Sequence, residues 1–219
     1  MGIKSMWSTN ALALALLIGA NLAASFAGEA LWMLIGIAAL LLMLYFCFRQ
    51  GMGIGHGACG ISGTIESARN AGEKVYAQLD GKYLSQAWSR RNALKGLLLS
   101  ALIPYAAGGV YIILNLLWHA GVIPELPVII ARVAAWLLSL PFWPIIMHWH
   151  ADFVTVTPAI AAMLLISPFV LPTATALGYL QGPRLWARTE DAMKQGRRRA
   201  KARARVGKKL APRQQKPEI

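Results

Sequence analysis

The chain has 219 residues, of which 57% are hydrophobic and only 14% are charged, and its mean hydropathy is +0.49. Because soluble domains carry about 25% charged residues and disordered chains are poor in apolar ones, this composition excludes both classes and predicts an integral membrane protein. The formal net charge is +13, and ten of these charges belong to the residues from Arg184 onward, where thirteen Lys and Arg accompany three acidic residues.

Two apolar segments fill most of residues 1–48 and predict a transmembrane helical hairpin. The first covers residues 10–27 and the second residues 31–48, and Arg49 ends the second. At about 1.5 Å per residue, each is close to the length that crosses a hydrocarbon core of about 30 Å.

The small residues of the first segment leave two alternatives open. Gly19, Ala23 and Ala27 recur every four residues, and such a ladder lets a second helix approach closely. Ser25 and Ala27 also resemble a signal-peptidase site, so that residues 1–27 would be removed. We expect the segment to be retained as a span, and either alternative leaves the later topology unchanged.

Residues 49–95 form a polar segment between apolar ones, and we predict a cytoplasmic loop there. Ile65, Ala68 and Gly72 begin a helical spacing that continues to Leu79, which predicts a short amphipathic helix. Glycines at the start of the segment predict a flexible turn at the membrane surface. They are Gly51, Gly53, Gly55, Gly57, Gly60 and Gly63.

The first part of this loop also matches a nucleotide-binding pattern. Residues 55–60 read Gly-His-Gly-Ala-Cys-Gly, which satisfies G-x-G-x-x-G. The dinucleotide fingerprint needs a preceding strand and a βαβ unit, whereas an apolar helix precedes it here, so we predict no bound cofactor. A flexible turn and a weak anion site made by glycine amides remain the alternatives. His56 and Cys59 are two ligands, and a structural zinc site takes four.

Residues 96–182 contain two further apolar segments, at 96–118 and 153–180. Pro104 and the run Ala106-Ala107-Gly108-Gly109 predict a kink and a close helix contact in the first of them. Prolines interrupt the second segment and free backbone carbonyls that need partners within the bundle. These prolines are Pro158, Pro168 and Pro172.

Residues 128–149 are apolar enough to cross a membrane, but the distribution of charge favours four spans over five. With five spans, the seven basic residues of residues 49–95 would face the outside. With four, 21 of the 22 Lys and Arg lie in the cytoplasm, and Arg132 is the exception. We therefore predict a broken helix at 128–149 that is re-entrant or lies in the outer interface, and cytoplasmic N- and C-termini.

The polar residues of this segment agree with an interfacial position. Arg132, Trp136, Ser139 and Trp143 share one helical face, and two prolines then break the helix. Inside the spans the polar residues are neutral. We expect Asn21, Ser25 and Asn115 to form hydrogen bonds between helices, and the lack of an ionisable side chain beside them weakens the case for ion-coupled transport.

A candidate metal site follows the broken helix. His148, His150 and Asp152 alternate in sequence, so an extended backbone would point all three ligands to one side, with His119 on the same face of the membrane. Metallohydrolases use a similar H-x-H-x-D run, but their further ligands on a rigid α/β scaffold are missing here. Polar residues at the level of the lipid head groups are the alternative interpretation.

Residues 183–219 form a basic cytoplasmic tail. Its charge suits phosphate-bearing partners, and we expect anionic membrane lipids, with nucleic acid or a protein as the alternative partner. Other membrane subunits are further candidate partners. The residues predicted to bind the anionic partner are Arg197, Arg198, Arg199, Lys201, Arg203, Arg205, Lys208 and Lys209.

The sequence thus predicts an all-α, multi-pass protein of the cell membrane, with four transmembrane helices plus a re-entrant or interfacial helix. The predicted function is a non-enzymatic membrane scaffold or accessory subunit. The first alternative is a transporter or channel component built on the proline-broken helices. The second is a metal-dependent, membrane-embedded enzyme that uses His148, His150 and Asp152.

Overall fold

The computed structural model describes residues 2–27, 29–72, 81–139 and 156–210, with the backbone alone described at residues 27, 29–30, 82–83 and 202–210. Within these ranges 92% of the residues are helical and no strand occurs. Four helices of the described part are long and apolar enough to cross a membrane. The predicted all-α fold is confirmed, and so is the number of helices with the length and composition of a span.

The described residues form eight α-helices and two 3-10 turns. Helix α1 covers Gly2–Ala24 and continues into a 3-10 turn at Ser25–Ala27, and α2 covers Glu29–Ala71. A single turn, α3, covers Gly81–Leu84, and α4 covers Arg90–His119. Helix α5 covers Glu125–Ser139, α6 covers Pro158–Ile166, a 3-10 turn covers Ser167–Phe169, α7 covers Val170–Leu180, and α8 covers Gly182–Leu210.

Helix α2 is far longer than predicted. Its 43 residues run without a break through the glycine-rich stretch, so the loop and flexible turn predicted from residue 50 onward are wrong for residues 50–64, whereas residues 65–71 of the predicted amphipathic helix are helical. At about 1.5 Å per residue the helix extends about 64 Å, roughly twice the hydrocarbon thickness. Gly72, with φ of 121°, follows its last residue. The remainder of the predicted amphipathic helix, at 73–80, lies outside the described residues.

The glycines of α2 serve helix packing. On α2, Gly51 lies against Thr175, and Gly55 lies against Tyr179 and Gly182. Gly178, at the end of α7, lies against Phe48 and Met52 of α2, and we call Gly51, Gly55, Gly178 and Gly182 the glycine seam. A Cβ atom added at any of them would collide with backbone atoms of the opposite helix. The two G-x-x-x-G pairs therefore bring the helix backbones into direct contact, as small residues do in membrane helices. This contact explains why the stretch is helical although its composition resembles that of a loop.

Helix α1 uses a different face from the one predicted. An added Cβ at Gly19 would meet nothing within 4 Å, and Ala23 is exposed, so the predicted small-residue ladder is not the contact face. The buried positions recur at intervals of three and four residues and include larger side chains. They are Met6, Asn10, Ala13, Leu17, Asn21 and Ala24.

Large aliphatic side chains lie on the outer surface of the bundle. Alanine, glycine and neutral polar residues fill much of the interior, whereas large aliphatic side chains lie exposed along every long apolar helix. In water such a surface would be unfavourable by about 25 cal/mol per Å² of apolar area. This distribution suits a helix bundle surrounded by lipid. Examples of the exposed residues are Leu16, Leu34, Leu41, Leu98, Leu102, Ile113, Ile130 and Ile166.

The contact at Gly108 and the prolines of residues 158–168 agree with the local sequence. The predicted close contact at Gly108 is confirmed, since an added Cβ there would meet the Leu164 carbonyl oxygen of α6 at 3.0 Å. Thr157 caps the start of α6, where Pro158 follows it in the first turn. Pro168 lies in the 3-10 turn that separates α6 from α7, because proline cannot donate the helical hydrogen bond.

Helix α5 corresponds to the first part of the predicted broken helix. Its 15 described residues extend about 22 Å. Val128, Ala131, Ala135 and Ser139 form its buried face. Of the predicted polar face, Ser139 is buried and both Arg132 and Trp136 are half-buried. Residues 140–155, which contain Trp143 and the two helix-breaking prolines, lie outside the described residues.

One end of the bundle gathers the starts of α1, α4 and α8. Met6 of α1 packs against Gly96 of α4, and the Ser89 amide donates a hydrogen bond to the Tyr179 hydroxyl (3.3 Å). The Trp88 amide donates to the Ala58 carbonyl of α2 (3.2 Å). We call the end defined by these contacts the basic end, because α8 begins there.

Candidate functional site: the basic end of the bundle

Helix α8 is joined to α7 through a single residue, Gln181. The Gln181 amide bonds to the last carbonyls of α7, and its own carbonyl accepts hydrogen bonds from the amides of Arg184 (3.1 Å) and Leu185 (3.2 Å) in α8. Pro183 fits the first turn of α8, where a backbone donor has no helical partner. The basic segment is therefore a direct helical continuation of the last apolar helix.

The first turns of α8 pack on the extension of α2. The Trp186 ring lies against Gly60 and near Gly63, two positions where α2 has no side chain to block it. His56 Nε2 lies 3.1 Å from Thr189 Oγ1, and the His56 and Trp186 ring centroids are 5.1 Å apart. These contacts attach the start of α8 to a helix that belongs to the bundle.

Beyond these contacts, the described side chains of α8 are exposed. Every residue from Asp191 to Lys201 is exposed. Glu190 forms an ion pair with Lys194 at 2.8 Å, and this carboxylate raises the pKa of the exposed Lys194 by a hydrogen bond and by its charge. Such an exposed pair at i, i+4 is screened by solvent and contributes little to stability.

The predicted anion-binding residues all lie in this helix. Arg197, Arg198, Arg199 and Lys201 are exposed, and the backbone of the other four is helical. Because a helix has 3.6 residues per turn, Arg197, Lys201, Arg205 and Lys208 share one face. Like charges at i, i+4 destabilise a helix by a few tenths of a kcal/mol per pair. An anionic partner would remove this repulsion.

The predicted metal ligands His148, His150 and Asp152 lie outside the described residues. Over the ranges that are described, no three His, Cys, Asp or Glu side chains come together as metal ligands would. His119, expected on the same side of the membrane, is exposed, with its ring centroid 4.7 Å from that of Trp118.

The G-x-G-x-x-G stretch is part of α2, so both alternatives considered for it are wrong. Its backbone amides belong to a continuous helix and are directed into helical hydrogen bonds, which leaves neither a flexible turn nor an anion cradle. His56 contacts Thr189 and Trp186, whereas Cys59 is a buried free thiol. The stretch is a helix-packing surface.

A polar network in the interior was not predicted from the sequence. Asn10 Nδ2 donates to Ser100 Oγ (3.0 Å), and the Thr175 hydroxyl donates to Asn10 Oδ1 (2.7 Å), which links α1, α4 and α7. Beside it lies a cavity of about 20 Å³, enough for one water molecule. The sequence signal for this network was Asn10, a polar residue at the start of the apolar segment 10–27.

Within the described ranges, Asn21 and Ser25 do not form the predicted interhelical hydrogen bonds. The Ser25 hydroxyl donates to the Leu22 carbonyl and Asn21 Nδ2 donates to the Leu17 carbonyl, so both bonds stay within their own stretch of chain. Asn21 Oδ1 is buried and accepts no hydrogen bond from any residue in the described ranges. Asn115 is buried, in line with an interior role.

These features define an all-helical protein with four helices suited to cross a membrane and an exposed, basic helix at one end of the bundle. The chain matches no protein-family model, no curated protein and no solved structure. Its function is therefore argued from the residues of the basic end.

Proposed function

We propose that the protein is a non-enzymatic scaffold or accessory subunit of the cell membrane whose helix α8 binds an anionic lipid surface from the cytoplasmic side. The observation that carries the proposal is the arrangement of α8. Its first turns are attached to α2 through Trp186 and Thr189, and its basic residues Arg197, Arg198, Arg199 and Lys201 are exposed. Exposed cations at a membrane surface attract acidic head groups.

The proposed topology has four spans with both termini in the cytoplasm. The basic end collects the start of α1, the start of α4 and the whole of α8, which suits the preference of Lys and Arg for the cytoplasmic side. Helix α5 is then re-entrant from the opposite side. In support, Leu138 lines the interior cavity together with Ser100 and Pro104, which lie in the first half of α4.

Transport has weaker support than a scaffold role. The interior polar network consists of uncharged side chains that bond to one another, and its cavity has room for about one water molecule. Such a network stabilises helix association without providing a path. Within the described residues, the exposed positive charge of α8 suits an anionic partner.

A peptide of residues 184–213 tests the proposal. It should bind vesicles that contain phosphatidylglycerol, ignore phosphatidylcholine vesicles, and detach as salt rises, because the Debye length falls from about 10 Å at 0.1 M to about 3 Å at 1 M. Replacing Arg197, Arg198 and Arg199 by Gln removes about 1 kcal/mol per charge, so binding should weaken roughly hundredfold. Sedimentation with vesicles measures the bound fraction.

The matched control is Glu190→Gln, which alters an acidic residue of the same helix and should not weaken binding. If the peptide ignored anionic vesicles but bound RNA with a steep salt dependence, a nucleic-acid partner would replace the lipid. If it bound neither, α8 would be a topological signal and the scaffold proposal would fail.

A further inference from the structure

A groove of about 670 Å³ opens between the start of α4 and the end of α7 at the basic end. Ala93 and Ala176 are buried in its floor, and their small side chains leave the space open. Leu94 and Leu177 line its walls and are 58% and 54% exposed, which makes the groove apolar although it is open to the surroundings. Its volume lies in the range of about 300–1,000 Å³ typical of small-molecule sites.

Two arginines lie at one end of this groove. Arg90 belongs to the first turn of α4 and Arg184 to the first turn of α8, and both are exposed. Arg184 Nη1 donates to Gln181 Oε1 at 3.2 Å. In the described part of the chain no carboxylate forms an ion pair with either guanidinium. The positive end of the α4 dipole adds to this charge, whereas the C-terminus of α7 offsets that of α8.

The order of groups along the groove is that of a phospholipid. Guanidinium groups bind phosphate through paired hydrogen bonds, and the leucines that follow toward the middle of the bundle suit an acyl chain. Trp88 lies at the same end, with its Nε1 3.4 Å from the Tyr179 carbonyl and its ring stacked on that of Tyr179 at 6.4 Å. Tryptophan prefers the level of the lipid head groups.

We propose that this groove binds a single anionic diacyl phospholipid, with its phosphate between Arg90 and Arg184 and one acyl chain along Leu94 and Leu177. The proposal rests on the position of the bundle in a membrane and not on the binding of α8 to a lipid surface. The two interactions differ in kind. Helix α8 attracts many head groups through exposed charge, whereas the groove holds one molecule through charge and apolar contact together.

Native mass spectrometry of the full-length protein in a non-ionic detergent tests the groove. Phosphatidylglycerol should be retained at one molecule per chain, even at high salt, because acyl-chain contacts are not screened. Phosphatidylcholine with the same acyl chains should be retained less well. Changing both Arg90 and Arg184 to Gln should weaken phosphatidylglycerol binding by about tenfold or more, as expected for lost hydrogen bonds to a charged group.

Two further variants make the test specific. Thr173→Trp places a large ring on an exposed position that lines the groove, and it should reduce retention without touching either arginine. The matched control changes Arg197 and Arg198 of α8 to Gln, and it should leave retention unchanged.

Equal retention of phosphatidylcholine and phosphatidylglycerol would overturn the proposal. Reduced phosphatidylglycerol retention in the α8 control would also overturn it, and so would unchanged retention in the variant that lacks Arg90 and Arg184. If inorganic phosphate fully displaced phosphatidylglycerol, the groove would be a site for a soluble anion and the lipid proposal would fail. If the groove variants had no effect while the peptide of residues 184–213 still bound anionic vesicles, only the groove proposal would fall. If the groove variants reduced retention while the peptide did not bind anionic vesicles, only the α8 proposal would fail.

Discussion

The hydroxyl of Thr175 and the amide oxygen of Asn10 lie 2.7 Å apart in the interior, although 165 residues separate them in the chain. Asn10 in turn donates to Ser100, so three helices share one set of hydrogen bonds. Polar hydrogen bonds between membrane helices contribute on average about 0.6 kcal/mol each, and up to about 1.7. The network therefore specifies which faces of α1, α4 and α7 meet.

We expect Thr175→Val to lower the free energy of unfolding by about 0.6–1.7 kcal/mol, because Asn10 Oδ1 loses its donor in a buried position. The matched control is Thr173→Val on the same helix, where the side chain is exposed and the change should have little effect. Unfolding in mixed micelles, followed by circular dichroism, measures the difference. Equal losses in both variants would mean that the network adds no stability.

The glycine seam should be sensitive to a single methyl group. In Gly55→Ala the new Cβ collides with backbone atoms of Tyr179 and Gly182, and the helices have to separate. We expect a loss of about 1–3 kcal/mol, the usual cost of overpacking.

Gly53→Ala and Gly57→Ala are controls on the same helix, where an added Cβ meets nothing within 4 Å. They should be neutral or slightly stabilising, because alanine favours a helix over glycine by about 1 kcal/mol. Thermal unfolding in detergent compares the three variants. A seam variant as stable as the controls would contradict the close contact.

The topology can be measured with an impermeant thiol reagent on intact cells. Single cysteines at Ser67, Ala120 and Ala200, in a background with Cys47 and Cys59 changed to Ala, should label only at position 120. All three positions are exposed, so access depends on the side of the membrane. Labelling at position 67 in intact cells would contradict the four-span arrangement. Permeabilised cells are the control, in which all three should react.

The metal site at His148, His150 and Asp152 stays a prediction. If it exists, purified protein should bind zinc in stoichiometric amount, and changing both histidines to Ala should abolish the binding. His119→Ala on the same side is the matched control and should leave the zinc content unchanged. Metal analysis by mass spectrometry measures this. Unchanged zinc in the double variant would leave these residues as polar groups at the membrane surface.

Hydropathy and length were sufficient to predict the helical class, because it follows from composition over some twenty residues. The number of four spans also required the distribution of charge, since hydropathy alone permits a fifth at 128–149. The contact at Gly108 was also predictable, since small residues inside an apolar segment favour close packing. The exposure of Arg197 to Lys201 follows from the cost of burying charge.

The glycine seam was not predictable in the same way. Gly51 and Gly55 lie in a polar, glycine-rich context that is typical of loops, and their role depends on Gly178 and Gly182 more than 120 residues later. The sequence of a single helix does not show which of its faces packs against another helix. The same reason explains why Gly19, in a ladder of small residues, faces open space while Asn10 is buried.

The length of α2 has a mechanical consequence for the basic helix. From the glycine seam at Gly55 to its end at Ala71, the helix extends about 24 Å as an unbroken rod. A tilt of about 10° around the seam would displace the far end of this rod by about 4 Å. Because Trp186 and Thr189 rest on the same rod, α8 would follow the tilt. A change in bilayer thickness or tension that tilts the second apolar helix would thus be transmitted as a movement of positive charge along the membrane surface.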